Sequence, residues 1–168
     1  MGERALAACH DGAGDYELFR TQWADTERLV DAAMRGRCPR ESSAAAQWRR
    51  CGRSRWPDIV DELEYLQFDL CLRCEHDAVR VYLPVWLGIP TTDGAETASV
   101  CGVLVRVESQ DELTRLRARV RRQKERLGEA IERGVTSRRD AQRALSCVGG
   151  TRERHFSASA SERLSGPE

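Results

Sequence analysis

The chain has 168 residues, of which 40% are hydrophobic and 32% charged, proportions that suit one domain with a buried core and a charged surface. Basic and acidic residues balance at 27 each, so net charge selects no partner. No stretch nears the ~18 uninterrupted apolar residues of a membrane helix.

Met1-Gly2-Glu3-Arg4-Ala5-Leu6 has neither a basic start nor a long apolar run, so no signal peptide is expected and the cytoplasm is the expected compartment. Arg4–Cys9 and Tyr16–Gln22 read as strands around Asp11-Gly12-Ala13-Gly14-Asp15, a two-glycine hairpin turn. Asp25 to Met34 predicts a short helix with acidic residues at its start and Gly36 as its stop. Periodicity then fails from Arg37 to Arg55, which predicts an irregular excursion with a short helix around Ala44 to Arg49. Pro57 opens a helix over 58–66, with Ile59, Leu63 and Leu66 on one face.

Two alternating runs follow, 68–74 and 79–83, with Glu75-His76-Asp77 as the hairpin turn. Pro84 favours a strand end or an edge. Pro90 to Ala98 reads as a loop, and Val100–Val107 as a strand with valines at 103, 105 and 107 on one side. Ser109-Gln110-Asp111-Glu112 has capping-box spacing and starts a helix that should run to about Arg133, ended by Gly134. Ser137-Arg138-Arg139-Asp140 caps a last short helix through about Cys147. Beyond Gly149-Gly150 the polar, serine-rich sequence carries only Phe156 and Leu164 as large apolar residues, so it is expected to be disordered.

These elements predict an α+β fold: about five strands in a mostly antiparallel sheet, helices on one face, a long C-terminal helix and a disordered tail. Residues 1–148 form the expected domain and 149–168 the tail. Gly2-x-Arg4-Ala5-Leu6, Tyr16-x-Leu18, Gln22-Trp23, Leu83-Pro84-Val85-Trp86-Leu87-Gly88, Gly102-Val103-Leu104-Val105 and Ser109-x-Asp111-Glu112-Leu113 resemble an uncharacterised domain-of-unknown-function family of halophilic archaea. That resemblance spans residues 1 to about 148. It implies a compact cytoplasmic domain and no known activity, substrate or catalytic residue.

Seven cysteines are scattered along the chain, and without an export signal free thiols are expected. Cys71-Leu72-Arg73-Cys74 has the spacing of a zinc knuckle, which Cys38 and Cys51 could complete. Against this, positions 71 and 74 face opposite ways in a strand, so buried thiols are the competing reading.

Lys124 is the one lysine among the 27 basic residues. Codon bias of a GC-rich genome explains such a ratio, as does selection for bidentate phosphate contacts. Two zones are basic. Arg115, Arg119 and Arg122 lie in the long helix, and Arg49, Arg50 and Arg53 in the segment from Arg35 to Arg55, beside Trp48 and Trp56. Phosphate contacts with counterion release, and base stacking on tryptophan, are the chemistry such zones would supply. The other reading is the solvated side of a helix packed through Leu113, Leu116, Val120, Leu127 and Ile131.

Gly12-x-Gly14 lacks the rest of a dinucleotide loop, and no catalytic triad can be assigned. The expected role is a non-enzymatic binding or adaptor protein without a cofactor. The alternative is a nucleic-acid-associated accessory protein, with nucleic acid or another protein as partner.

Overall fold

Alternating apolar residues start the sheet. In β1 (Glu3–His10), Ala5, Ala7 and Cys9 join one core while Leu6 and Ala8 join another, the period-2 division a sheet buried on both faces requires. A computed structural model describes residues 3–39, 47–92, 101–150 and 152–165. Gly12 and Gly14, at φ +87° and +104°, turn the chain into β2 (Tyr16–Ala24), antiparallel to β1. Helix α1 (Thr26–Met34) is capped by Asp25 and carries Val30 and Ala33 into the core. After β3 (Arg49–Ser54) and α2 (Trp56–Glu62) come β4 (Leu70–Cys74), β5 (Val79–Trp86) and β6 (Gly102–Val107). Helices α3 (Gln110–Glu132) and α4 (Arg138–Ser146), strand β7 (Arg154–Phe156) and helix α5 (Ala158–Ser165) complete the order.

Among the described residues seven strands form one mixed sheet, ordered β3-β2-β1-β4-β5-β6-β7. The β1–β4 pair is parallel and the other pairs are antiparallel. On one face α1, α3, α4 and α5 contribute Val30, Leu113, Leu116, Leu145 and Ala160 to a core with Leu70, Leu72, Val103 and Val105. On the other, Trp56, Ile59 and Val60 of α2 pack with Leu63, Tyr65, Cys71, Tyr82 and Leu104.

The class is α+β, but four expectations are corrected. The sheet has seven strands, not about five. Its helices cover both faces rather than one, because Tyr82 and Leu104 alternate with the valines and need their own apolar cover. The long helix α3 exists, 23 residues from its Ser109 cap, yet it is not the C-terminal element; that is α5, only 8 residues long. The tail expected to be disordered supplies β7 and α5, since Phe156 pairs opposite Val103 and Ala160 is fully buried.

Smaller differences are local. Arg49–Ser54 is a strand where an irregular excursion is predicted, and residues 40–46 of that excursion lie outside the described residues. So do residues 93–100, with most of the predicted 90–98 loop. Strand β5 runs on through Pro84 to Trp86. The α3 stripe packs on the chain's own sheet through Leu113 and Leu116, with Val120, Leu127 and Ile131 partly buried. Among the described residues no helix is long and apolar enough to cross a membrane.

Candidate functional site

A broad concavity arises from a mismatch of strand lengths. Cys71 of β4 lies opposite Tyr82 of β5 and β4 starts at Leu70, so β5 continues through Pro84, Val85 and Trp86 beyond β4. The α2–β4 connection borders this overhang with Tyr65, Leu66, Phe68 and Asp69, and α3 forms the opposite wall. The result is a groove of about 710 Å³.

Two glycines shape its aromatic parts. A Cβ at Gly102 would overlap the Tyr65 ring, and one at Gly88 the Trp86 indole, so each ring lies against bare backbone. Tyr65 is held further by its hydroxyl, which donates to the Val60 carbonyl at 2.9 Å. On α3, Gly128 sits one turn beyond Lys124. A Cβ there would come within 3.1 Å of the Pro90 carbonyl oxygen, so the absent side chain permits a close approach at that end.

The groove's charge is divided along α3, with Arg117, Arg121 and Lys124 on the earlier turns and Glu125, Glu129 and Glu132 on the later ones. Arg117 bonds Glu3 at 2.7 Å and the Asp69 carbonyl at 3.0 Å. Glu132 accepts the Thr92 N–H at 3.0 Å. Lys124 and Arg121 form no ion pair among the described residues. The Lys124 ammonium stands 4.6 Å from the centroid of the Trp86 ring, a cation–π distance. Burial without a carboxylate partner pushes its amine down to about 8. An arginine in this position would stay charged at any physiological pH.

Arg115, Arg119 and Arg122 are all exposed on α3. Arg115 and Arg119 border a smaller cavity with Glu108, Glu112 and Arg152, and Arg152 pairs with Glu112. Arg49, Arg50 and Arg53 are exposed on β3, the far edge of the sheet. Arg50 pairs with Glu17 at 3.1 Å, and Arg53 with Asp11 at 2.5 Å and Asp15 at 3.1 Å. Three strands separate β3 from β5, on which α3 packs, so the two basic zones occupy different parts of the fold. Trp56, expected beside them, is buried.

Of the four expected metal ligands the structure joins only Cys38 and Cys74, and it adds Cys9 to them. Cys51 is exposed on β3. Cys71 is fully buried in the opposite core from Cys74, as strand parity requires. Cysteine proximity here depends on which strands become neighbours, which spacing alone does not disclose.

Sequence reasoning also missed a polar and aromatic network on the α2 side. Arg73 lies 4.8 Å from the Trp56 ring centroid and donates to the Tyr16 hydroxyl at 3.0 Å, which donates to Glu75 at 3.0 Å. Burial would raise the Glu75 carboxyl, but hydrogen bonds from Arg80 and Tyr16 and the Arg73 charge carry it below its ordinary value. Farther along, Tyr82 donates to Glu153 at 3.0 Å, and the His155 ring meets Trp56 and Tyr82 edge-on. This network fastens β7 to the sheet.

Set against protein-family models, curated proteins and solved structures, the chain matches none of them.

Proposed function

We propose that this chain is a cytoplasmic, non-catalytic binding protein whose groove takes a small amphipathic anion. The ligand's apolar body lies on Trp86, Phe68, Val85 and Val120, and its carboxylate reaches Lys124 and Arg121. One observation carries this role: the chain's one lysine is half-buried in this groove, over Trp86 and, among the described residues, without a carboxylate partner. An anion there would supply the partner the protein does not. Ligand pockets commonly measure about 300–1,000 Å³, mostly apolar with a few convergent polar groups, and this groove fits that description.

The test is displacement of a fluorescent acyl carboxylate by decanoate, decanol and decylamine. Decanoate should compete best, and Lys124→Met should weaken its binding by about tenfold, ~1.4 kcal/mol. Failure of the probe to bind, or equal decanoate affinity in wild type and variant, would remove this reading.

The alternative role, tracking nucleic-acid phosphates, is supported by Arg115, Arg119 and Arg122 sharing one exposed stripe of α3 at i, i+4 and i+7.

A further inference from the structure

Three thiols that are distant in sequence converge at one end of the sheet. Parallel pairing sets Cys9 of β1 beside Cys74 of β4 in register, and both point into the same core as Ala7 and Leu72. The third arrives from α1. Its end is closed by Arg35, then Gly36 at φ +70° and a bond from the Arg37 N–H to the Ala32 carbonyl turn the chain back. Cys38 is thereby delivered over the other two. The Cys9 and Cys38 sulfurs are 3.3 Å apart, and all three sulfurs lie within 4.8 Å of one another.

We propose that Cys9, Cys38 and Cys74 form a zinc site of three thiolates. With zinc–sulfur bonds of about 2.3 Å, tetrahedral geometry separates sulfurs by about 3.8 Å, so small adjustments of these side chains complete a trigonal base. Cys38 is only half-buried, and a cavity of about 440 Å³ opens beside the cluster, lined also by His10, Asp11 and His76. An ion therefore has both an entry path and an open fourth position. On binding, the thiol protons pass to solvent and the cation takes three sulfur lone pairs, with no change of oxidation state. The site is independent of the α3 groove: none of its residues borders that groove.

Full-length protein, purified under reducing conditions and stripped with chelator, is titrated with zinc against a chromophoric chelator and separately with cobalt(II). The expected result is one ion per chain, with cobalt giving thiolate charge-transfer bands and the intense visible absorption of a tetrahedral site. Cys38→Ser alters a loop residue and should keep the wild-type circular dichroism. Loss of an outer-shell partner alone costs about 10–100-fold, so losing this ligand should weaken zinc by more than about a hundredfold. Cys51→Ser and Cys147→Ser, both at exposed thiols, should bind as wild type does. Absence of zinc binding by the reduced wild type, or unchanged binding by folded Cys38→Ser, would overturn the proposal.

Discussion

The Lys124 ammonium lies 4.6 Å from the centroid of the Trp86 ring, and the ring rather than a carboxylate is its partner. Burial moves the amine from its ordinary 10.5 to about 8 in the folded chain. Between those two values the unfolded chain binds a proton that the folded chain does not, so this group makes stability rise with pH. Below about pH 8 both states are protonated and its cost is constant. Urea melts at about pH 7 and about pH 9.5 should therefore show wild type gaining stability relative to Lys124→Met as pH rises. The comparison cancels the cysteines, which the two proteins share. A constant difference between the two proteins would show that Lys124 is not desolvated.

Gly102 offers a steric test of the groove wall. A Cβ there overlaps the ring of Tyr65, which is buried and held by Val60. Gly102→Ala must displace that ring or the β6 backbone, and overpacking of this kind costs about 1–3 kcal/mol. Gly52→Ala is the control. On edge strand β3 its new methyl would meet only Leu18, at an ordinary 3.7 Å, so a change within about 0.5 kcal/mol is expected. Equal urea midpoints for the two variants would contradict the packing of Tyr65 on Gly102.

What the sequence disclosed depended on how local the cause was. The Ser109 cap was legible because its oxygen accepts the Glu112 N–H three residues on, at 3.2 Å. Strand β6 was legible from its run of β-branched residues, with Val103, Val105 and Val107 on one side. Strand β3 was not: Arg49 to Arg53 is exposed at the sheet edge, and a strand with no buried face has no alternation to read. Its arginines protect that edge from further pairing. The Cys9–Cys74 register arises from parallel pairing across more than sixty residues of chain, and nothing in the spacing of either cysteine encodes it.

Deleting residues 153–168 tests the C-terminal segment, whose composition predicts disorder. In the fold, the Ser157 hydroxyl accepts the buried Gly102 N–H at 3.1 Å, and Glu153 accepts from Tyr82 and Arg106. Each buried polar group left without its partner costs about 1–3 kcal/mol, and the Ala160 contact is lost as well. A total of about 3 kcal/mol corresponds to a Tm lower by about 6–12 °C for a chain of this size. An unchanged Tm in the truncated protein would mean that β7 and α5 contribute nothing to stability.

The arginine stripe of α3 separates the two roles most directly. Were Arg115, Arg119 and Arg122 tracking phosphates, each contact would release a counterion, and replacing all three by alanine would flatten the log–log salt dependence by roughly two to three units. Their surroundings argue for the other outcome. Glu108 and Glu112 share a cavity with Arg115 and Arg119, and the Arg115 guanidinium donates to the Asp111 carbonyl at 3.3 Å. Acidic neighbours lower the local potential that a polyanion would sense. The expected result is weak binding of duplex and single-stranded nucleic acid, with equal slopes for wild type and the triple variant. Decanoate affinity should also be unchanged, because none of the three residues lines the groove over Trp86. Folding should survive, since Leu113 and Leu116 keep the helix on the sheet. A steep wild-type slope that flattens in a folded triple variant would instead assign this face of α3 to nucleic acid and leave the groove to be explained separately.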